Sequence, residues 1–109
     1  MIFFIILKIE EEFMEISNKL NINDLTMIYS ALGEENRLTI AIYLLENPSS
    51  VNDISKNLNL SQPKVSHHLR ILKDSKVVKA TKNGKNVIYD IDDKHIEEII
   101  KLGLVHMEC

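Results

Sequence analysis

The chain has a single cysteine, Cys109, so no internal disulfide can form. That agrees with a reducing compartment and leaves one thiol as a free group, a ligand or an intermolecular partner. No apolar run approaches the roughly 20 residues of a membrane-spanning helix. MIFFIIL, at residues 1–7, is too short for a comfortable signal-peptide core, and acidic residues follow it where a small-residue cleavage site would stand. A cytoplasmic protein is therefore expected, with no membrane partner. Repeats and linkers are also missing, and 109 residues with 45% hydrophobic and 27% charged side chains fit one domain with a modest core. There is no HExxH pair and little chain from which to build a substrate cleft, which argues against a zinc hydrolase and for a protein that is not an enzyme.

The net charge of -3 conceals an uneven distribution. Residues 1–60 carry four basic and nine acidic side chains, residues 61–89 seven and one, and residues 90–109 two and six. A basic block of this kind is either a solvated surface or the footprint of a phosphate-binding face, and its placement on the fold decides between them.

Periodicity supplies that placement. Apolar residues at 25, 28, 29 and 32 predict a helix over Asp24 to Leu32, ended by Gly33. A second helix is expected from Glu34 to Glu46, with Leu38, Ala41, Ile42 and Leu45 as its apolar stripe, and stops at Asn47-Pro48. Ser49 or Ser50 caps a short third, Val51 to Leu58, with Asp53 near its positive end. After a turn at Asn59-Leu60, Ser61 caps a fourth that runs to Asp74 with Pro63 harmless in its first turn.

The period then changes to two. Val77 to Thr81 and Asn86 to Ile91 predict strands joined by Lys82-Asn83-Gly84-Lys85, with Asn-Gly in a type I′ turn. Such a hairpin needs support from the helices. A last helix starts near Asp92 or Asp93 and runs through Met107.

The expected fold is mostly α with a small β-hairpin (α+β): a winged helix-turn-helix with the fourth helix in the major groove of double-stranded DNA. At 100° per residue, Val65, His68, Leu69 and Leu72 share the inner side of that helix, with Ile71 at its edge. Gln62, Pro63, Ser66, His67, Arg70 and Lys73 share the other. Arg, Gln and Ser can read base edges, while Lys64, the helix N-terminus capped by Ser61, and Lys82, Asn83 and Lys85 of the hairpin would lie against the DNA backbone. His67 and His68 point different ways and are not expected to share a metal; His68 is expected to be packed and hydrogen-bonded beside Val65 and Leu72.

The segments ALGEENRLTIAIYLL, VNDISKNLNLSQPKVSHHLRILKDSKVV and GKNVIYDI resemble the ArsR/SmtB family of small dimeric winged-helix repressors, over roughly residues 25–109. The resemblance implies a homodimeric repressor that leaves its operator when an inducer, often a metal ion, binds.

In the terminal helix, His95 and His106 are eleven residues apart, so they lie on one stripe but about 16 Å apart along the axis. One ion with ligands at about 2 Å cannot reach both within a chain. Two such helices packed antiparallel across a two-fold axis would bring Asp93 and His95 of one chain to His106 and Cys109 of the other, twice. Ile96, Ile99, Ile100 and Met107, with Gly103 among them, are the expected dimer stripe through the terminal helices. The family's terminal-helix sensor pattern, D-x-H-x10-H-x-x-[E/H], matches Asp93, His95 and His106; Cys109 departs from it, with either its thiolate or its terminal carboxylate as donor. This set suits zinc, with cobalt or cadmium plausible and nickel less so. Where the family's cysteine-based site would be, the chain has Ser50-Val51-Asn52-Asp53, which argues against arsenite or lead.

Three other readings stay open. Asp93 and the histidines serve as helix-end charges in one. In another, Cys109 or a different ligand makes a metal-independent repressor. The third is a structural dimer that does not bind DNA. Residues 1–13 are read as an extension to a domain spanning 14–109: disordered, an added amphipathic segment in the dimer interface, or non-native with Met14 as the true start.

Overall fold

A computed structural model describes residues 2–16 and 21–108. The elements are α1 (Ile2–Ile16), α2 (Ile22–Leu32), α3 (Glu35–Glu46), α4 (Val51–Leu58), α5 (Gln62–Asp74), β1 (Val78–Asn83), β2 (Asn86–Ile91) and α6 (Lys94–Glu108). No described helix is long and apolar enough to cross a membrane. The opening segment, for which disorder was one expectation, is helical as α1.

Local chemistry sets the boundaries. Side chains of Asn21, Glu34, Ser50 and Ser61 each accept the backbone N–H three residues on, and so cap α2, α3, α4 and α5. The Arg37 N–H at the start of α3 holds the Glu34 carboxyl below its ordinary range. Arg37 itself donates from Nε to the Ala31 carbonyl at 2.9 Å, tying α3 to the end of α2. Between α4 and α5, Asn59 takes the left-handed conformation (φ 55°) and the Leu60 N–H returns to the Ser55 carbonyl at 3.1 Å.

Behind α5 the chain turns by the same device on a less suitable residue. Lys76 has φ 64°, its N–H meets the Lys73 carbonyl at 3.0 Å, and the Val77 N–H meets the Leu72 carbonyl at 2.9 Å. These are the paired bonds of a Schellman termination, in which a side-chain-bearing residue is strained.

One cluster makes the core: Ile40, Ala41 and Leu44 from α3, Ile54 from α4, Val65, Leu69 and Leu72 from α5, Val77 and Val78 entering β1, and Ile96 and Ile100 from α6. Truncating one of the fully buried Leu or Ile side chains to Ala would cost about 2–5 kcal/mol, enough to make the position of α5 a property of the whole core. Ile96 and Ile100 lie inside this cluster and are therefore not the dimer stripe expected of them. The outward apolar groups of α6 are Leu104, Val105 and Met107, the last 79% exposed.

The hairpin is antiparallel, with Val78 opposite Ile91 and Asn83 opposite Asn86. Lys82 and Asn83 thus extend β1, and the loop is Gly84-Lys85 alone. Gly84 carries the positive φ (64°) and Asn83 does not, so the turn is of the Gly-X kind instead of the expected Asn-Gly. Ser49, just before α4, exchanges two backbone hydrogen bonds with Tyr89 at 3.0 and 2.8 Å. This bridge gives the two-stranded ribbon the support it needs.

His68 is buried, as expected, but its Nδ1 has no hydrogen-bond partner among the described residues, against the expectation of a bonded ring. Burial pushes its pKa down, while the charge of Glu34 pulls the other way and Arg37, His67 and Lys64 add to the lowering.

Lys76→Gly should stabilise the chain by about 0.5–1 kcal/mol in urea unfolding, because glycine adopts the left-handed conformation without strain. Below the ordinary histidine pKa of about 6.5 the unfolded chain takes up a proton at His68 that the folded chain resists. Stability should therefore decline as pH falls from about 6.5 toward the lowered folded value, and His68→Leu should flatten that part of the profile.

Candidate functional site

Burial of Val65, His68, Leu69 and Leu72 leaves the opposite side of α5 in solvent. Ser61, Gln62, Lys64, Ser66, His67, Arg70 and Lys73 are all exposed there, as are Lys82, Asn83 and Lys85 at the hairpin tip. The basic block thus lies on the exposed face of α5 and along the adjoining ribbon. Such a surface can place Arg70, Ser66 and Gln62 against base edges while the lysines meet phosphates. Gln62 is not a free side chain, however: its Nε2 donates to Asn52 Oδ1 at 2.7 Å, tying the first turn of α5 to α4. Spacing within one helix gives no sign of this bond between two helices.

At the start of α6, Asp93 caps the helix with Oδ1, which accepts the Ile96 N–H at 3.0 Å. Oδ2 stands 3.8 Å from His95 Nδ1. The other ring nitrogen, Nε2, is 2.8 Å from Glu12 Oε2 on α1. Asp93 and His95 are thus together, joined by a residue that the sequence reading did not single out. No periodicity in residues 1–13 reveals where α1 docks, so Glu12 had no signal.

His106 lines the same groove as His95, far along α6. The groove, about 690 Å³, runs between α1, α2 and α6, with Ile9, Phe13, Leu25, Tyr29, Ile99 and Leu102 in its walls. Among the described residues, no group of three His, Cys, Asp or Glu side chains is close enough to hold a metal within one chain. Cys109, the fourth expected ligand, lies outside the described residues. The donor set present, a carboxylate and two imidazoles, fits a zinc-like ion by chemistry but is divided between the two ends of α6.

Comparison with known proteins agrees with this layout. Residues 34–80 match the model of the bacterial regulatory protein arsR family. The chain is 35% identical to a cadmium resistance transcriptional regulatory protein CadC homolog of Staphylococcus aureus, over 81% of this chain and 74% of that one. It is 46% identical to an uncharacterized HTH-type transcriptional regulator, MJ1325, of Methanocaldococcus jannaschii, over 69% of this chain and 85% of the other. Its fold is similar to a homodimeric winged helix-turn-helix DNA-binding domain from Mycobacterium bovis, with a TM-score of 0.77, 22% identity, and 80% and 81% of the two chains covered.

The surface assignment makes a graded prediction. Lys64→Ala should weaken binding to all duplex sequences alike and reduce the slope of log affinity against log salt by about 1. Arg70→Ala should cost about 1–3 kcal/mol on a preferred sequence and relax selectivity at one base pair. Fluorescence anisotropy over a salt series, on specific and scrambled duplexes, separates the two.

Proposed function

The chain belongs to the arsR family of bacterial regulatory proteins, winged-helix transcriptional regulators that bind DNA and are not enzymes, and we propose that it acts as a homodimeric repressor released from operator DNA by zinc. Cobalt and cadmium suit the same donors, and nickel suits them less. The cytoplasm, where DNA and a reduced thiol coexist, is the place of action.

One observation carries this reading. Asp93 Oδ2 and His95 Nδ1 stand 3.8 Å apart beside the groove that His106 lines from the far end of the same helix. Two half-sites on one helix face suit completion by a second copy packed antiparallel, with Cys109 as the fourth donor. The apolar groups left in solvent beside them, Leu25, Tyr29, Leu104 and Met107 among them, supply a face for that copy.

Zinc held this way would fix the angle between the two α6 helices and hence the separation of the two α5 helices. Ile96 and Ile100 embed α6 in the core that holds α5, so a change in dimer geometry is carried to the DNA-facing helices as a rigid-body shift. A coupling of about 1–3 kcal/mol would weaken DNA binding about 5- to 150-fold.

The test is anisotropy of a duplex from upstream of the protein's own gene, metal-free and with excess zinc. Zinc should weaken binding by the parent chain at least fivefold and leave His95→Ala and His106→Ala unaffected. Equal DNA affinity with and without zinc in the parent would contradict the account of α6 and keep the DNA-binding assignment.

A further inference from the structure

Gln62 opens α5 and Asn52 stands in the first turn of α4, and their exposed carboxamides meet across the space between the two helices: Gln62 Nε2 donates to Asn52 Oδ1 at 2.7 Å. Neither backbone is free to draw away. Ile54 of α4 and Val65 of α5 are fully buried in the core. In the turn that joins the helices, Asn59 is left-handed, the Leu60 N–H returns to the Ser55 carbonyl, and the Ser55 hydroxyl donates to the Leu60 carbonyl. Each helix start is set by its own cap, with Ser50 accepting the Asp53 N–H and Ser61 the Lys64 N–H. The bond between the carboxamides is therefore closed between two fixed points.

A carboxamide has two N–H donors and one oxygen with two lone pairs. Asn52 takes one N–H of Gln62, which leaves Oε1 and the second N–H. Those two groups on one planar edge match adenine, whose N6 donates to Oε1 and whose N7 accepts from Nε2. The N–H on the same side as Oε1 is needed for the base, so the opposite N–H is the one available to Asn52. An untethered glutamine at an exposed helix start would have to freeze its torsions on binding, which lowers affinity by about 2- to 12-fold. Here the neighbouring helix holds it beforehand.

We infer that Asn52 is a positioning residue for base reading, which holds the Gln62 carboxamide so that Oε1 and one N–H face the adenine edge in the major groove. That role rests on the placement of α5 in the groove and brings a residue of α4 into the reading of sequence. A mere clip between α4 and α5 would support binding to every sequence alike.

The experiment uses the full chain. The parent selects preferred sites from a randomised duplex pool, and fluorescence anisotropy then compares it with Gln62→Ala, Asn52→Ala and Asn52→Asp on a selected duplex and its single-pair variants. The pair at which Gln62→Ala loses preference is the one Gln62 reads, and the parent should favour A·T there by about 5- to 150-fold. Asn52→Ala should reduce the preference at that same pair by about 2- to 12-fold and leave the other pairs and the salt slope unchanged. Added to Gln62→Ala, it should change that preference no further. Asn52→Asp keeps the acceptor oxygen, so it should retain the preference at that pair while its charge weakens binding to all duplexes alike.

Equal weakening on every duplex by Asn52→Ala would overturn the role, because Asn52 would then be a clip or a backbone contact. A preference left unchanged or sharpened by Asn52→Ala would overturn it as well, since the bond would then be idle or hold Gln62 away from the base. Selected pairs that do not depend on Gln62, or a Gln62 pair that is G·C, would leave Asn52 no adenine reader to position and overturn it too. A parent that binds no duplex in the pool would instead remove the DNA-binding assignment itself, and the parent titration tells that failure from the others.

Discussion

Val65, Leu69 and Leu72 of α5 are closed into the same cluster as Ile40 and Leu44 of α3, Ile54 of α4, and Ile96 and Ile100 of α6, and almost everything else in the molecule depends on that closure. Burying one side of α5 obliges the other side to face water, and that side carries Gln62, Lys64, Ser66, His67, Arg70 and Lys73. The same closure holds α6 by Ile96 and Ile100, which turns Leu104, Val105 and Met107 outward. A surface suited to DNA and a helix suited to a second copy are therefore two outer faces of one core. Coupling between them needs no chain of intermediate residues, only rigidity.

Around that core the tighter constraints are polar. Capping side chains start α2, α3, α4, α5 and α6, and Arg37 joins the end of α2 to α3. The Ser49–Tyr89 bridge fastens the hairpin to the helical body, so Lys82 and Lys85 are carried at a fixed place beside α5. His68 is the least comfortable member, buried with an Nδ1 that has no partner among the described residues, on the inner face of the helix whose outer face carries Lys64, His67 and Arg70. Lys76 is strained because the chain must turn in the three residues between the end of α5 at Asp74 and the start of β1 at Val78.

Features governed by neighbours in sequence were readable before any coordinates. Ser50 and Ser61 cap the expected helices, the burial of α5 follows its 3.6-residue period, and β2 spans Asn86–Ile91 as expected. What escaped depends on contacts between distant segments. Ile96 and Ile100 fit an apolar stripe, but a stripe does not say whether it meets its own core or a partner. Asn83 pairs with Asn86 because strand register, not composition, places the turn. At the candidate metal site, the spacing of Asp93, His95 and His106 was legible, whereas the 2.8 Å ion-pair contact of Glu12 with His95 depends on where α1 lies beside α6.

The central claim is that each metal site is divided between two copies, with Asp93 and His95 from one and His106 from the other. Subunit complementation tests it most directly. Chains carrying His95→Ala and chains carrying His106→Ala should each fail to bind zinc at the α6 site as homodimers. After mixing and exchange, the heterodimer regains one intact site, built from Asp93 and His95 of the second variant and His106 of the first. Zinc titration of the mixture should recover one tight site per heterodimer. No recovery, with subunit exchange verified, would contradict a site shared between copies.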